Sequence, residues 1–283
     1  MVYDFKYLRP YPPKYPPYPP YSNIENYMEH YFFNFYKKNI EDFKKVDRQY
    51  LPIFWTTLYN DHIPVNTAEY LNALDQSKKY FTVNQHDDGI RYRLPDDTIV
   101  FSASENGHGK IYPIPLLTSP IPDDGSILNK DILCSFVGTI THPLRIALYQ
   151  LYSKHSDFYF SEMKNWSPVV TNDKFEEFKN ITKRSKFSLC PRGNIIQSFR
   201  IYEILQLNSV PVIVSDRFTN PFGDLIDWQD FSIIINDPRE LISKLSSITE
   251  EQYNSLLSNG KEIYNQYFTL EKMCLNIKNI LCD

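Results

Sequence analysis

Residues 186–228 read KFSLCPRGNIIQSFRIYEILQLNSVPVIVSDRFTNPFGDLIDW, and this stretch decides the fold. KFSLC is a short apolar run ending in a turn, the pattern of a strand buried on both faces. The turn carries Arg192 and Gly193. Ser198 then opens a segment with Ile201, Ile204 and Leu205 on one side, which predicts a helix. A second buried strand follows at Val210–Val214. Strand, turn, helix and strand are the winding unit of an α/β domain, whose helix starts present backbone N–H groups and cations to phosphate. A phosphorylated, nucleotide-like ligand is therefore expected beside Arg192, Ser198, Arg200 and Glu203.

The same alternation extends outward. ILCSFVGTI (132–140) predicts a strand, Thr141 and Pro143 the start of a helix reaching about His155, and SDFYFSEM (156–163) another strand. NDKFEEFKNITKR (172–184) reads as a helix, DFSIIIN (230–236) as a strand and PRELISKLSSI (238–248) as a helix, completing a parallel-sheet domain. From Glu250 the tail is helical. Toward the other end, YLPIFWTTLYND (50–61), KKYFTVNQHDDGI (78–90) and DTIVFSAS (97–104) read as strands, with a short helix at TAEYLNALD (67–75). These predict a second, small doubly wound domain. NIENYMEHYFFNFYKKNIEDF (23–43) is an amphipathic helix with Tyr27, Tyr31, Phe32 and Phe35 as its core stripe. YLRPYPPKYPPYPPY (7–21) suits only an extended arm, and PIPLLTSPIPDDGS (113–126) is the expected linker. The expected division is an arm at 1–22, a domain at 23–125 and a domain at 126–261, with 262–283 able to return to the first.

Composition narrows the function. The 283 residues are 42% hydrophobic and 23% charged, as in a soluble globular protein. Net charge is −4 and no Lys/Arg run exceeds two residues, which excludes a nucleic-acid groove. No apolar run approaches 18 residues and no charged-then-apolar leader opens the chain. Neither a membrane span nor a signal peptide is expected, and a cytoplasm-like soluble location follows. Cys134, Cys190, Cys274 and Cys282 show no CxxC spacing, and the first two lie in predicted buried strands. There is no GxxxxGK[ST] and no GxGxxG after a strand, so neither a P-loop nor a nicotinamide site is supported.

Four segments carry a resemblance to a known family: SFVGTITHPLR (135–145), FSLCPRGNIIQSFRIYEIL (187–205), VPVIVSD (210–216) and PFGDLIDWQDFSIII (221–235). They resemble the exostosin family of glycosyltransferases, glycosyltransferase family 47. YLPIFWTTLY (50–59) and YFTVNQHDDGI (80–90) look like segments of its small viral, algal and bacterial members. The resemblance implies a GT-B architecture, two Rossmann-like domains facing across a cleft, and inverting transfer from a UDP-sugar. It also implies a glycan or glycoprotein acceptor, with no permanently bound cofactor and no essential metal. No DxD triplet follows a strand, which disfavours a metal-dependent GT-A site.

On that reading the donor diphosphate meets Arg145, Arg192, Ser198 and Arg200, with Gly193, Phe199, Gly138 and His142 beside it. Glu203 accepts hydrogen bonds from the ribose, with Ile201, Ile204 and Leu205 turned away toward the core. An Arg200–Glu203 surface pair at i,i+3 is the plainer alternative. Inversion needs a general base for the acceptor hydroxyl. Asp88, Asp87 and His86 are the candidates, together with Asp61 and His62 after the first strand; Glu105 and His108 are outside choices, and a solvated turn before Gly89 is the bland reading. Asp123 and Asp124 read as turn chemistry, and Trp55, Trp166 and Trp228 as packing, with Trp228 shaping the cleft wall. Among donors the expectation leans to UDP-xylose. A non-catalytic nucleotide- or glycan-binding module and a phosphorylase-type enzyme are the alternatives.

Overall fold

The computed structural model describes residues 27–60, 67–117, 119–122, 125–126, 128–140, 142–163, 170–193 and 195–282. The arm at 7–21 and the positions Asp61, His62, Asp123, Asp124, Thr141 and Trp166 lie outside the described residues. The chain divides into two units, Met1–Ser119 with Leu270–Asp283, and Pro120–Thr269. Each is built on a wholly parallel sheet, so the chain is α/β throughout.

The first unit begins with α1 (Met28–Lys38) and α2 (Ile40–Phe43), broken at Asn39. Asn39 N–H and Nδ2 both donate to the Phe35 carbonyl, so its side chain competes with helix continuation. Then come β1 (Arg48–Tyr50), α3 (Trp55–Asn60), α4 (Thr67–Asn72), β2 (Lys79–Asn84), β3 (Ile99–Ser102) and β4 (Lys110–Pro113). The sheet order is β1-β2-β3-β4, and the β2–β3 and β3–β4 crossovers are loops at 85–98 and 103–109 rather than helices. The strand expected at 50–61 is a three-residue strand followed by a helix. Pro52 lacks an N–H and cannot extend the ladder, and Leu51 N–H makes the last bond, to Phe81 O. Trp55, at 0% exposure, donates its indole N–H to Thr82 Oγ1 at 3.0 Å. β4 had no clear sequence signal because Lys110 and three half-buried neighbours make it an edge strand.

The core of this unit is aromatic. Phe32 of α1 meets the rings of Phe43, Tyr50 and Phe81 edge-on, with centroids 5.3–6.1 Å apart. Phe32→Ala would leave a cavity worth about 3–5 kcal/mol. The last helix, α10 (Leu270–Cys282), packs on α1 and pairs Lys278 with Asp42 at 2.9 Å.

The second unit runs β5 (Ile132–Thr139), α5 (Pro143–Tyr152), β6 (Phe158–Met163), α6 (Asn172–Arg184), β7 (Ser185–Pro191), α7 (Phe199–Gln206), β8 (Val210–Val214) and β9 (Ile233–Ile235). α8 (Leu241–Ser246) and α9 (Glu250–Tyr267) follow, and the tail helix breaks at Phe268 before α10. Thr249 and Gln252 form a reciprocal capping box at the start of α9. The segment 238–248 opens as a 3₁₀ turn because Asp237 accepts from Arg239 N–H and tightens it. Sheet order is β6-β5-β7-β8-β9. Strand order therefore reverses between β5 and β7, which defines a topological switch point. Every residue of β8 is buried, as a strand covered on both faces requires. Trp228 is core, not a cleft wall. It is 1% exposed, donates to Pro221 O at 2.9 Å and packs among Tyr202, Phe218, Phe231 and Phe268.

Candidate active site

Chemistry collects at the carboxyl ends of β5 and β7, where a doubly wound sheet leaves a crevice between diverging helices. α5 starts there with His142 as N-cap, one position later than expected; its Nδ1 accepts from Leu144 N–H at 3.3 Å. Burial and the charges of Arg192 and Arg145 lower the His142 pKa, opposed by Asp216. One turn on, Arg145 donates to three backbone carbonyls. Nε reaches Arg192 O at 3.2 Å, Nη1 reaches Thr139 O at 3.1 Å and Nη2 reaches Pro191 O at 3.2 Å. One guanidinium thus ties the end of β5 to the end of β7 and keeps two N–H groups over. Burial, then Arg200, bring its pKa down to about 10, and it stays charged at neutral pH. Gly193 leaves room for it, since a Cβ there would lie 3.2 Å from Arg145 Nη2. At Gly138 a Cβ would instead meet the Phe136 ring at 3.0 Å, a packing constraint.

Arg192 is largely buried and pairs through Nη1 with Asp216 Oδ1 at 2.8 Å. Asp216 lies after β8 with its side chain 60% exposed, and the bond to Arg192 holds its carboxyl below the usual range. Asp216 closes VPVIVSD, and its place just past a buried strand was the signal available for it in the sequence. Ser198 caps α7, its Oγ accepting from Arg200 N–H at 3.3 Å. Phe199, half-buried, opens the helix itself.

Glu203 differs from expectation. It does not stand on an open face: its side chain is 0% exposed, while Arg200 packs its guanidinium 3.8 Å from the Phe178 ring centroid. Oε2 accepts from Arg200 Nη1 at 2.8 Å, and Oε1 has no hydrogen-bond partner among the described residues. The i,i+3 pair forms, with its carboxylate buried and its guanidinium 19% exposed. An unpartnered carboxylate oxygen costs free energy, and a ligand hydroxyl is the natural donor to it.

In the first unit, the base candidates follow β2. Gly89 turns the loop with φ +66°, and a Cβ there would strike Asn106 O. His86 Nδ1 accepts from Asp88 N–H at 3.2 Å, so the neutral ring carries its proton on Nε2 and is a donor. Burial, then Arg91, lower its pKa to about 4. Asp88 is exposed and paired with Arg91. Asp87 is exposed as a residue, yet its carboxyl is crowded; burial, then the charge of Glu105, push its pKa up. Ser104 Oγ holds the Asp87 carbonyl at 2.6 Å. His108 is held through its backbone, N–H to Ile90 O.

One titratable group escaped the sequence reading. Glu29 of α1, 2% exposed, accepts from Thr56 N–H at 3.0 Å, Thr56 Oγ1 at 2.9 Å and Gln85 N–H at 2.9 Å. It ties the start of α3 to the residue before His86. Burial outweighs these bonds and raises its pKa to about 7. Its signal was a carboxylate three residues before Phe32, on the apolar stripe.

A cavity of 660 Å³ lies elsewhere, between β9, α8 and α9, and touches none of these groups. Among the described residues no group of three or more His, Cys, Asp or Glu is placed to hold a metal, and no helix is long and apolar enough to cross a membrane.

Against known proteins, the Exostosin GT47 domain matches residues 30–251. The chain belongs to the exostosin GT47 family. It is 31% identical over 128 residues to a probable glycosyltransferase of Arabidopsis thaliana, covering 44% of this chain and 23% of that protein. It is 34% identical over 111 residues to exostosin-1a of Danio rerio, covering 38% of this chain and 15% of that one. The chain thus spans less than a quarter of the length of these relatives. Among solved structures it overlays on an α1,3-fucosyltransferase with TM-score 0.44 at 16% identity, covering 77% of this chain and 76% of that chain.

Proposed function

We propose that the chain is an inverting glycosyltransferase that moves a sugar from a UDP-sugar to a hydroxyl of a glycan. The observation that carries this is the meeting of Arg145, Arg192, His142 and the α7 N-terminus at the β5/β7 switch point. A departing diphosphate accumulates negative charge, and fixed cations and free helix N–H groups stabilise it without reorganising. Arg145 fixes the two strand ends, Arg192 contacts the diphosphate and releases Asp216, and Glu203 Oε1 accepts from the ribose. A diphosphate carries more negative charge than the single carboxylate of Asp216, and that carboxylate is 60% exposed and regains water when released, so the ligand is the stronger partner for Arg192.

Asp87 is the base this reading selects. Its raised pKa strengthens it as a proton acceptor, whereas Asp88 is neutralised by Arg91 and His86 presents a proton. The donor sugar is proposed as xylose, on the family resemblance alone. A panel of UDP-sugars tested for protection against thermal unfolding, followed by a product assay with the best binder, tests the reading. Failure of UDP to raise the melting temperature at millimolar concentration would refute it.

A further inference from the structure

We propose that the half-buried Tyr92 and Tyr59, with Arg91 and His86, form a subsite that receives a pyranose ring of the acceptor saccharide. The inference rests on the transferase reading for its biological sense but stands on its own geometry.

Trp55, Tyr59 and Tyr92 form a triangle with centroids 6.3, 6.3 and 6.4 Å apart and mutual tilts of only 33°, 12° and 35°. Tyr59 and Tyr92 are nearly parallel, and both lie against the buried Trp55. The two tyrosines pack half-buried against the same cluster of Leu51, Ile53 and Ile90. An unburied share of an aromatic cluster is costly to keep wet.

The rim is polar in the manner a sugar requires. The Arg91 guanidinium sits 4.9 Å from the Tyr59 centroid, and Arg91 N–H donates to Tyr59 Oη at 2.9 Å. The His86 ring meets Tyr59 edge-on at 4.8 Å and carries its proton on Nε2. Asp88, paired with Arg91, supplies an acceptor, and Asp87 is its neighbour in sequence. Flat apolar faces for C–H groups beside a few fixed donors and acceptors are the chemistry of saccharide recognition. With Arg91 already covering Tyr59, Tyr92 is the stacking face.

Binding is read without turnover, on an array of immobilised oligosaccharides and by saturation-transfer NMR with the best-retained one in solution. Tyr92→Leu should weaken retention about three- to tenfold by loss of the ring. Tyr92→Phe should restore it. Arg91→Ala, at an exposed position, tests the rim without touching the core and should also weaken retention. UDP titrations on the same proteins keep the two ideas apart. Saccharide binding without UDP binding would sink the transferase reading and leave the subsite. UDP binding with a blank array, or equal retention by wild type, Tyr92→Leu and Arg91→Ala, would overturn the subsite.

Discussion

Glu29 gives the sharpest quantitative test. Its pKa rises from an ordinary 4.5 to about 7 in the folded chain. Between those values the folded state binds a proton that the unfolded chain has released. Stability from this group is therefore complete below pH 4.5 and is lost as pH rises through about 7. A gap of about 2.5 pH units at 1.36 kcal/mol each sets a ceiling near 3 kcal/mol, and relaxation of the site lowers it to about 2. Glu29→Gln removes the titration. The amide keeps one oxygen for Gln85 N–H or Thr56, so it carries a constant penalty and no pH dependence. Urea unfolding of both proteins at half-unit steps from pH 5 to 8 should show wild type losing about 2 kcal/mol relative to Glu29→Gln. A difference that stays flat across the range would refute the claim that burial dominates the three hydrogen bonds at Glu29.

The remaining expectations concern the nucleotide site and the base. Arg192→Ala should weaken UDP affinity at least tenfold in calorimetry, the loss of one charge-assisted contact. Asp216→Asn should act in the opposite direction, tightening UDP about threefold, because it removes the group that competes for Arg192; weaker binding would make Asp216 a ligand contact instead. Arg145→Lys should lower the unfolding midpoint and UDP affinity together, since one ammonium cannot serve three carbonyls in three directions. Asp87→Asn should cut kcat by about 10²–10⁴ with UDP affinity unchanged, and the acid limb of the wild-type rate profile should lie above that of an ordinary aspartate.

What the sequence disclosed and what it hid follow from different ranges of interaction. KFSLC and VPVIV announced themselves because a strand covered on both faces needs a predominantly apolar run, and Ser198 because an N-cap leaves a local signature. The helix at Trp55–Asn60 was hidden because its start is held by Glu29, from 27 residues away, which no local pattern reveals. The cap on α5 was misplaced by one because His is a rare cap and Thr a common one. The cationic residues at 145, 192 and 200 were legible as candidates, but not the different contacts each makes. Arg145 spends three donors on carbonyls, Arg192 pairs with an exposed aspartate and Arg200 is stacked and paired, and these depend on strand ends brought together by a crossover.

Those contacts also explain a cost the fold carries. A buried ion pair contributes little net stability, and apolar residues of similar size often do better. Glu203 is buried on α7 beside Ile201, Ile204 and Leu205 and paired with the partly exposed Arg200, and its Oε1 has no donor among the described residues. Nothing in the packing of α7 requires a carboxylate there, and the unmet oxygen works against it. A ligand hydroxyl donating to Oε1 would satisfy the oxygen and turn the cost into binding energy. The position supports that assignment: Glu203 lies on the helix whose N-terminus Ser198 caps, one turn in from the crevice where Arg192 and Arg145 stand. The proposed nucleotide contact along one short helix, phosphate at its mouth and a ribose hydroxyl one turn further in, would account for the cap and the buried carboxylate together.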